Sequence, residues 1–206
     1  MHNSTIDRHN SHELGFTMVE LVLSMAITTL ILGVAIIGFS QAMSMRARES
    51  SKTDAITSAQ AALNVMSREI GNSGFGLNDN GVVTDSTATM LHIRSNFSNN
   101  NSTTSDAGED IIFYLDGSGV NQSVVRHDNN TSETSGIINR ISSVNFVYTN
   151  YTSAGSSTGS AGRDTGKVTI TLIVNLPNVQ GQPANQTVTV TSDVTLRNSE
   201  YMRGQY

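Results

Sequence analysis

Glu20 is the residue whose surroundings make the strongest chemical demand. It is the one formal charge in Phe16–Phe39 (FTMVELVLSMAITTLILGVAIIGF), a stretch of 24 residues. A carboxylate inside a membrane-spanning helix costs about 2.5–3.5 kcal/mol on insertion scales, so such a residue normally has a partner or a task. Two readings follow. Glu20 lies four residues into the apolar run and is solvated near the membrane interface, or it pairs with a cation on another molecule. Other reactive residue types are sparse. There are no cysteines, which removes disulfides, Cys-ligated zinc and cysteine nucleophiles. His2, His9 and His12 lie in the opening segment, and only His92 and His127 lie beyond it. The acidic residues form no motif for paired acid–base work, so the residues argue against an enzyme, and no cofactor is expected. Asp79–Asn80–Gly81 and Asp116–Gly117–Ser118–Gly119 read as partial calcium loops. Both lack the alternating ligands and distal Glu of a complete loop, which favours tight turns and no metal.

Glu20 is positioned by a long helix. At ~1.5 Å per residue, Phe16–Phe39 extends roughly 36 Å, enough to cross a hydrocarbon core of about 30 Å with modest tilt. The run is too long and too apolar for an ordinary buried helix, and longer than the apolar region of a cleaved secretory signal. Ser24, Thr28 and Thr29 bond back to helix carbonyls or to neighbouring helices. Gly33 and Gly38 are read either as sites of close helix contact or local unwinding, or as ordinary membrane-helix composition. Beyond Phe39 the pattern becomes one-sided. Ile56, Ala59, Leu63, Met66 and Ile70 recur at spacings of three and four, which predicts an apolar stripe on one helix face. No proline interrupts Phe16–Ile70, and Gly71, Asn72 and Gly74 provide a stop, so one continuous helix of about 55 residues is expected.

After Gly71 the period changes to two. Strands are expected at Met90–Arg94, Ile111–Asp116, Ser123–His127, Val144–Asn150, Lys167–Leu176 and Gln186–Arg197. Val168, Ile170, Leu172, Val174 and Leu176 share one face, as do Val188, Val190, Val194 and Leu196, with threonines opposite. That alternation marks antiparallel strands with one buried side. Pro177 and Pro183, the two prolines of the chain, fall between the last two strands. The polar stretches Ser98–Gly108 and Thr152–Gly162 read as long mobile loops. The predicted fold class is α+β: a long N-terminal helix packed on a C-terminal antiparallel sheet. The expected divisions are 1–15, 16–39, 40–70 and 71–206.

Gly15–Phe16 followed by Glu20 and an apolar helix resembles the class III signal sequence of type IV pilins and type II secretion pseudopilins. The resemblance implies that a membrane aspartyl peptidase cuts after Gly15 and methylates the new amine of Phe16. It implies that Glu20 then pairs with the Phe16 amine of a neighbouring subunit and sets register as helices bundle. It also implies a single inner-membrane span, a periplasmic C-terminal domain, and exposure at the cell surface after assembly. Many major pilins carry a proline in the second half of the span, and none is present here, which points toward a minor pilin or pseudopilin. Arg68–Leu77 (REIGNSGFGL), Ile112–Gly119 (IFYLDGSG), Val144–Tyr148 (VNFVY) and the closing Leu196–Arg197–Asn198 resemble segments of PilW-class minor pilins. That closing triplet is also similar to the minor pseudopilin J. The implied partners are the prepilin peptidase and methylase, other minor pilins and the major pilin (or pseudopilins), and inner-membrane lipid. The implied function is a minor subunit that primes or caps pilus assembly. The alternatives are a type II secretion minor pseudopilin and a pilus-tip adhesin or DNA-capture protein. The net charge of −5 argues against a broad nucleic-acid surface.

Overall fold

The computed structural model describes residues 15–98, 103–119, 122–179 and 183–205. It divides into two compact units, Met1–Met45 and Arg46–Tyr206. The first helix, α1, runs Met18–Gly71 over 54 residues and contributes to both, within one to two residues of the expected bounds at each end.

In the first unit the helix carries its apolar side chains on every side. Val19, Leu23, Ile27, Leu30, Ile31, Val34, Ile37 and Phe39 are all exposed. It is long and apolar enough to cross a membrane. The helix continues unbroken through Gly33 and Gly38, so neither glycine unwinds it, and a Cβ at either would meet no atom within 4 Å.

The second unit is a sheet with the later part of α1 packed on one face. Its strands are β1 (Met90–Arg94), β2 (Asp110–Asp116), β3 (Gln122–Asp128), β4 (Glu133–Thr152), β5 (Gly155–Gly159), β6 (Thr165–Asn175) and β7 (Thr187–Thr195). A short helix, α2 (Glu200–Arg203), follows. The order is β1-β2-β3-β4-β6-β7, with β5 also paired to β4 and every pairing antiparallel. Ala59, Leu63, Met66 and Ile70 of α1 are buried against Phe113, Val144, Phe146, Ile170, Leu172 and Leu196. Ile56, the first member of the expected stripe, is half-buried. The alternation expected for β6 is observed in full from Val168 to Val174. In β7 only Val194 is buried, and Val188 and Val190 are half-covered.

Two expectations need correction. Thr152–Gly162 is not a long mobile loop, because Gly155–Gly159 pairs with Tyr148–Thr152 to form a hairpin. Gly and Ser bury little there, and the backbone ladder makes the strand without an apolar signature. The expected strand Val144–Asn150 is the later half of a strand of 20 residues. Its first half escapes a period-two reading because the buried positions are Ile138, Ile141, Val144 and Phe146. The break lies at Arg140, whose φ is 62°, and at a register shift between Ile141 and Ser143. Such bulges move the inward face by one residue. In Ser98–Gly108, residues 99–102 lie outside the described residues; residues 103–108 form no helix or strand, as expected of a loop, and the described flanks are hydrogen-bonded. The Ser98 N–H and hydroxyl donate to Glu109 Oε1 at 2.9 Å, and the Asp106 N–H donates to Glu109 Oε2 at 3.1 Å. Glu109 is itself buried.

The end of α1 is held by the end of the chain. The Arg197 N–H donates to Gly71 O at 3.1 Å, and its guanidinium donates to Asn72 Oδ1 at 3.0 Å. Asn198 Nδ2 donates to the carbonyls of Gly74, Leu77 and Asp79. β7 ends at Thr195, so Leu196–Arg197–Asn198 is a clamp on the helix terminus and not the end of a strand. Asp79 and Asn80 act as turn residues: Asp79 Oδ1 accepts from Gly81 N, and Asn80 Oδ1 accepts from Val82 N. Asp116 Oδ1 accepts from the adjacent Gly117 N at 2.9 Å.

Candidate functional site at the start of the helix

α1 starts at Met18, which leaves the Gly15–Phe16 peptide bond outside the helix. Among the described residues nothing lies within 4 Å of where a Gly15 Cβ would stand, and Phe16 is 81% exposed. Thr17 and Glu20 then close a reciprocal pair. The Thr17 N–H and hydroxyl donate to Glu20 Oε2 at 3.1 and 3.0 Å. Glu20 N–H donates to Thr17 Oγ1 at 3.2 Å, and Leu21 N–H donates to Thr17 O at 3.1 Å. This is a capping box, which satisfies two N–H groups that an α-helix otherwise leaves without partners at its start. The carboxylate also sits at the positive end of the helix dipole. Thr17 was missed in reading the residues for chemistry. Its signal was present as Thr17-x-x-Glu20 ahead of an apolar run.

The remaining polar groups of this segment are satisfied within the helix. Ser24 Oγ donates to Leu21 O at 2.9 Å, Thr28 Oγ1 to Ser24 O at 2.7 Å and Thr29 Oγ1 to Met25 O at 2.8 Å. Glu20 is therefore the one ionised group of Phe16–Phe39, and its contacts are Thr17 alone among the described residues. A cap of this kind is worth ~1 kcal/mol, whereas a carboxylate in a spanning helix costs up to about 3.5 kcal/mol. Local capping offsets part of that cost and supplies no counter-charge.

A second cluster of titratable groups lies in the sheet. The buried His92 ring has Nδ1 at 2.9 Å from both carboxylate oxygens of Asp85 and Nε2 at 2.6 Å from Asp110 Oδ1. Arg94 Nε donates to Asp110 Oδ2 at 2.7 Å, and Asn129 Nδ2 donates to Asp110 Oδ1 at 2.6 Å. Burial pushes the Asp110 carboxyl up, but the hydrogen bonds from His92, Asn129 and Arg94 outweigh it and hold the group below the usual range. Both ring nitrogens face carboxylate oxygens, so the ring is held between Asp85 and Asp110. The cluster ties the Asp85 loop to β1 and β2. Sequence spacing could not reveal it, because β1–β2 pairing brings His92 beside Asp110.

The model of the prokaryotic N-terminal methylation motif matches residues 10–36, a span that includes Gly15, Phe16, Thr17 and Glu20. No curated protein and no solved structure matches the chain. The exposed apolar helix and the motif together are consistent with single-pass anchoring in an inner membrane. The motif supports a type IV pilin-like or pseudopilin-like subunit, a class of structural subunits, and suggests processing by a prepilin peptidase and assembly with other pilins.

Proposed function

We propose that this chain is a minor type IV pilin that primes or caps pilus assembly. Cleavage follows Gly15, the new amine of Phe16 is methylated, and Glu20 pairs with the corresponding amine of a neighbouring subunit. The observation that carries this reading is the match of the methylation motif to residues 10–36 at the start of a helix with exposed apolar side chains on all sides. In the membrane pool Thr17 holds the Glu20 carboxylate within its own chain. Bundling removes water and lipid headgroups from the carboxylate, and a cationic amine is then a stronger partner than a hydroxyl and a neutral N–H. Cleavage is what exposes that amine, so processing and assembly are chemically linked. The absence of proline in the span supports a minor rather than a major subunit. The PilW-class segments support the same assignment. The test is mass spectrometry of protein from cells that hold a prepilin peptidase. The expected product begins at N-methylated Phe16; an intact Met1 in assembled fibres would overturn the proposal.

A further inference from the structure

Arg46, Arg48 and Lys52 are the first cations after the apolar run that ends at Phe39. Arg48 follows Phe39 within one unbroken helix, after about 13 Å of rise. The carboxylates of the same stretch, Glu49 and Asp54, do not answer these cations. None of the five residues takes part in an ion pair among the described residues. Two buried polar atoms here also lack a hydrogen-bond partner, Arg48 Nε and Ser51 Oγ. Ser51 is 8% exposed, and a buried polar group left unsatisfied costs about 1–3 kcal/mol. The two residues are neighbours on the helix surface, three positions apart. Ser51 lines a cavity of about 210 Å³, together with Asp54 and Ser58 of α1 and Asn139 and Arg140 of β4. That is several times the ~30 Å³ of one water. Arg140 likewise makes no ion pair among the described residues, and its φ is 62°. Strained residues at bulges persist where they re-aim a side chain toward a ligand. Orphan polar atoms, a polar cavity and a strained cation fall together at one place.

We propose that this cavity binds the headgroup of an anionic glycerophospholipid of the phosphatidylglycerol type. The inference rests on the membrane anchoring of the proposed function, which brings Arg48 to the headgroup layer. Arg48 and Arg140 take the phosphodiester oxygens, which a guanidinium fork matches in charge and geometry. The Ser51 hydroxyl gains the partner it lacks. Asp54 repels a bare phosphate and accepts only from a donor, which the glycerol hydroxyls of the headgroup supply. A choline headgroup fits neither demand, because it carries no hydroxyl or N–H donor and its lipid has no net charge.

The test is native mass spectrometry of the full chain, purified in neutral detergent from cells that hold a prepilin peptidase. Phosphatidylglycerol and phosphatidylcholine are added in turn. Wild type is expected to retain phosphatidylglycerol about tenfold more strongly. Ser51→Ala changes no charge and is expected to lower that retention about fivefold. Arg140→Gly relieves the left-handed backbone and is expected to lower it about fivefold as well. Arg163→Gln removes an exposed cation elsewhere on the same unit and is expected to leave retention unchanged. Equal retention of the two lipids would overturn the proposal. So would retention that Ser51→Ala and Arg140→Gly leave intact, or that Arg163→Gln lowers as much as they do. Glycerol 1-phosphate carries the headgroup chemistry without acyl chains. If it displaces the lipid at equal concentration, the site belongs to a free anion and the lipid assignment is overturned. The same spectrum gives the mass of the chain, so processing and lipid binding are read apart. A chain that begins at Phe16 and ignores phosphatidylglycerol overturns this inference alone.

Discussion

Thr17 and Glu20 share one Oε2-centred pair of hydrogen bonds, and two substitutions separate their roles. Thr17→Ala removes the cap while leaving the carboxylate. It is expected to weaken the first helical turn by ~1 kcal/mol, read as faster amide exchange at Glu20 and Leu21, with Thr17→Ser restoring protection. Glu20→Ala removes the charge. On the proposed function, processing at Gly15 is expected to continue, since the Gly15–Phe16 bond lies outside the helix, while incorporation into fibres falls. Unchanged incorporation would remove the pairing role from Glu20. Asp110 makes a pH-dependent statement. Its folded pKa is lowered, so its contribution to stability is present above the unfolded value near 3.9. It is lost as pH falls through the lower folded value. The stability difference between wild type and Asp110→Asn, measured by urea unfolding, is therefore expected to be largest above about pH 4 and to shrink below it.

At the scale of elements, α1 and β6 were legible because burial there follows one undisturbed period: Ala59, Leu63, Met66 and Ile70 on the helix, and Val168 to Val174 on the strand. β5 was not, because Gly155–Gly159 has no buried side chain and forms by backbone pairing alone. The early half of β4 was not, because Arg140 adopts a left-handed conformation that shifts the buried face. Of the candidate site, Gly15, Phe16 and Glu20 stood out by residue type, whereas Thr17 needed the cap geometry to be noticed. The His92 cluster needed strand register, which no local pattern encodes. The strain at Arg140 is testable. A left-handed conformation costs an L-residue roughly 1–2 kcal/mol, so Arg140→Gly is expected to leave stability equal or higher. Arg140→Val, β-branched at φ 62°, is expected to lower it by more than about 1 kcal/mol in thermal unfolding.

Across the whole molecule, the residues that bury apolar area and the residues that expose it separate along the chain. Every member of the hydrophobic core falls between Ala59 and Leu196. The exposed large hydrophobics fall mostly between Phe16 and Met45. With no disulfide to substitute for packing, the core of the second unit must carry its own stability. Its closing bonds all lie within Arg46–Tyr206: Arg126 Nε to Glu69 Oε2 at 2.9 Å, Asn80 Nδ2 to Thr165 O at 2.6 Å, and Arg197 N–H to Gly71 O at 3.1 Å. A chain beginning at Arg46 loses no core residue and no bond of this set. It is therefore expected to be soluble without detergent and to unfold in one cooperative transition. The chain beginning at Phe16 is expected to require detergent. Gly81→Ala supplies the contrast, because its Cβ would stand 2.1 Å from Arg94 O and 2.2 Å from Gly74 N. Both neighbours are backbone and cannot swing aside, so this variant of the shorter chain is expected to lose the cooperative transition. A wild-type fragment that aggregated or melted without cooperativity would show that the apolar half of the helix takes part in folding the sheet.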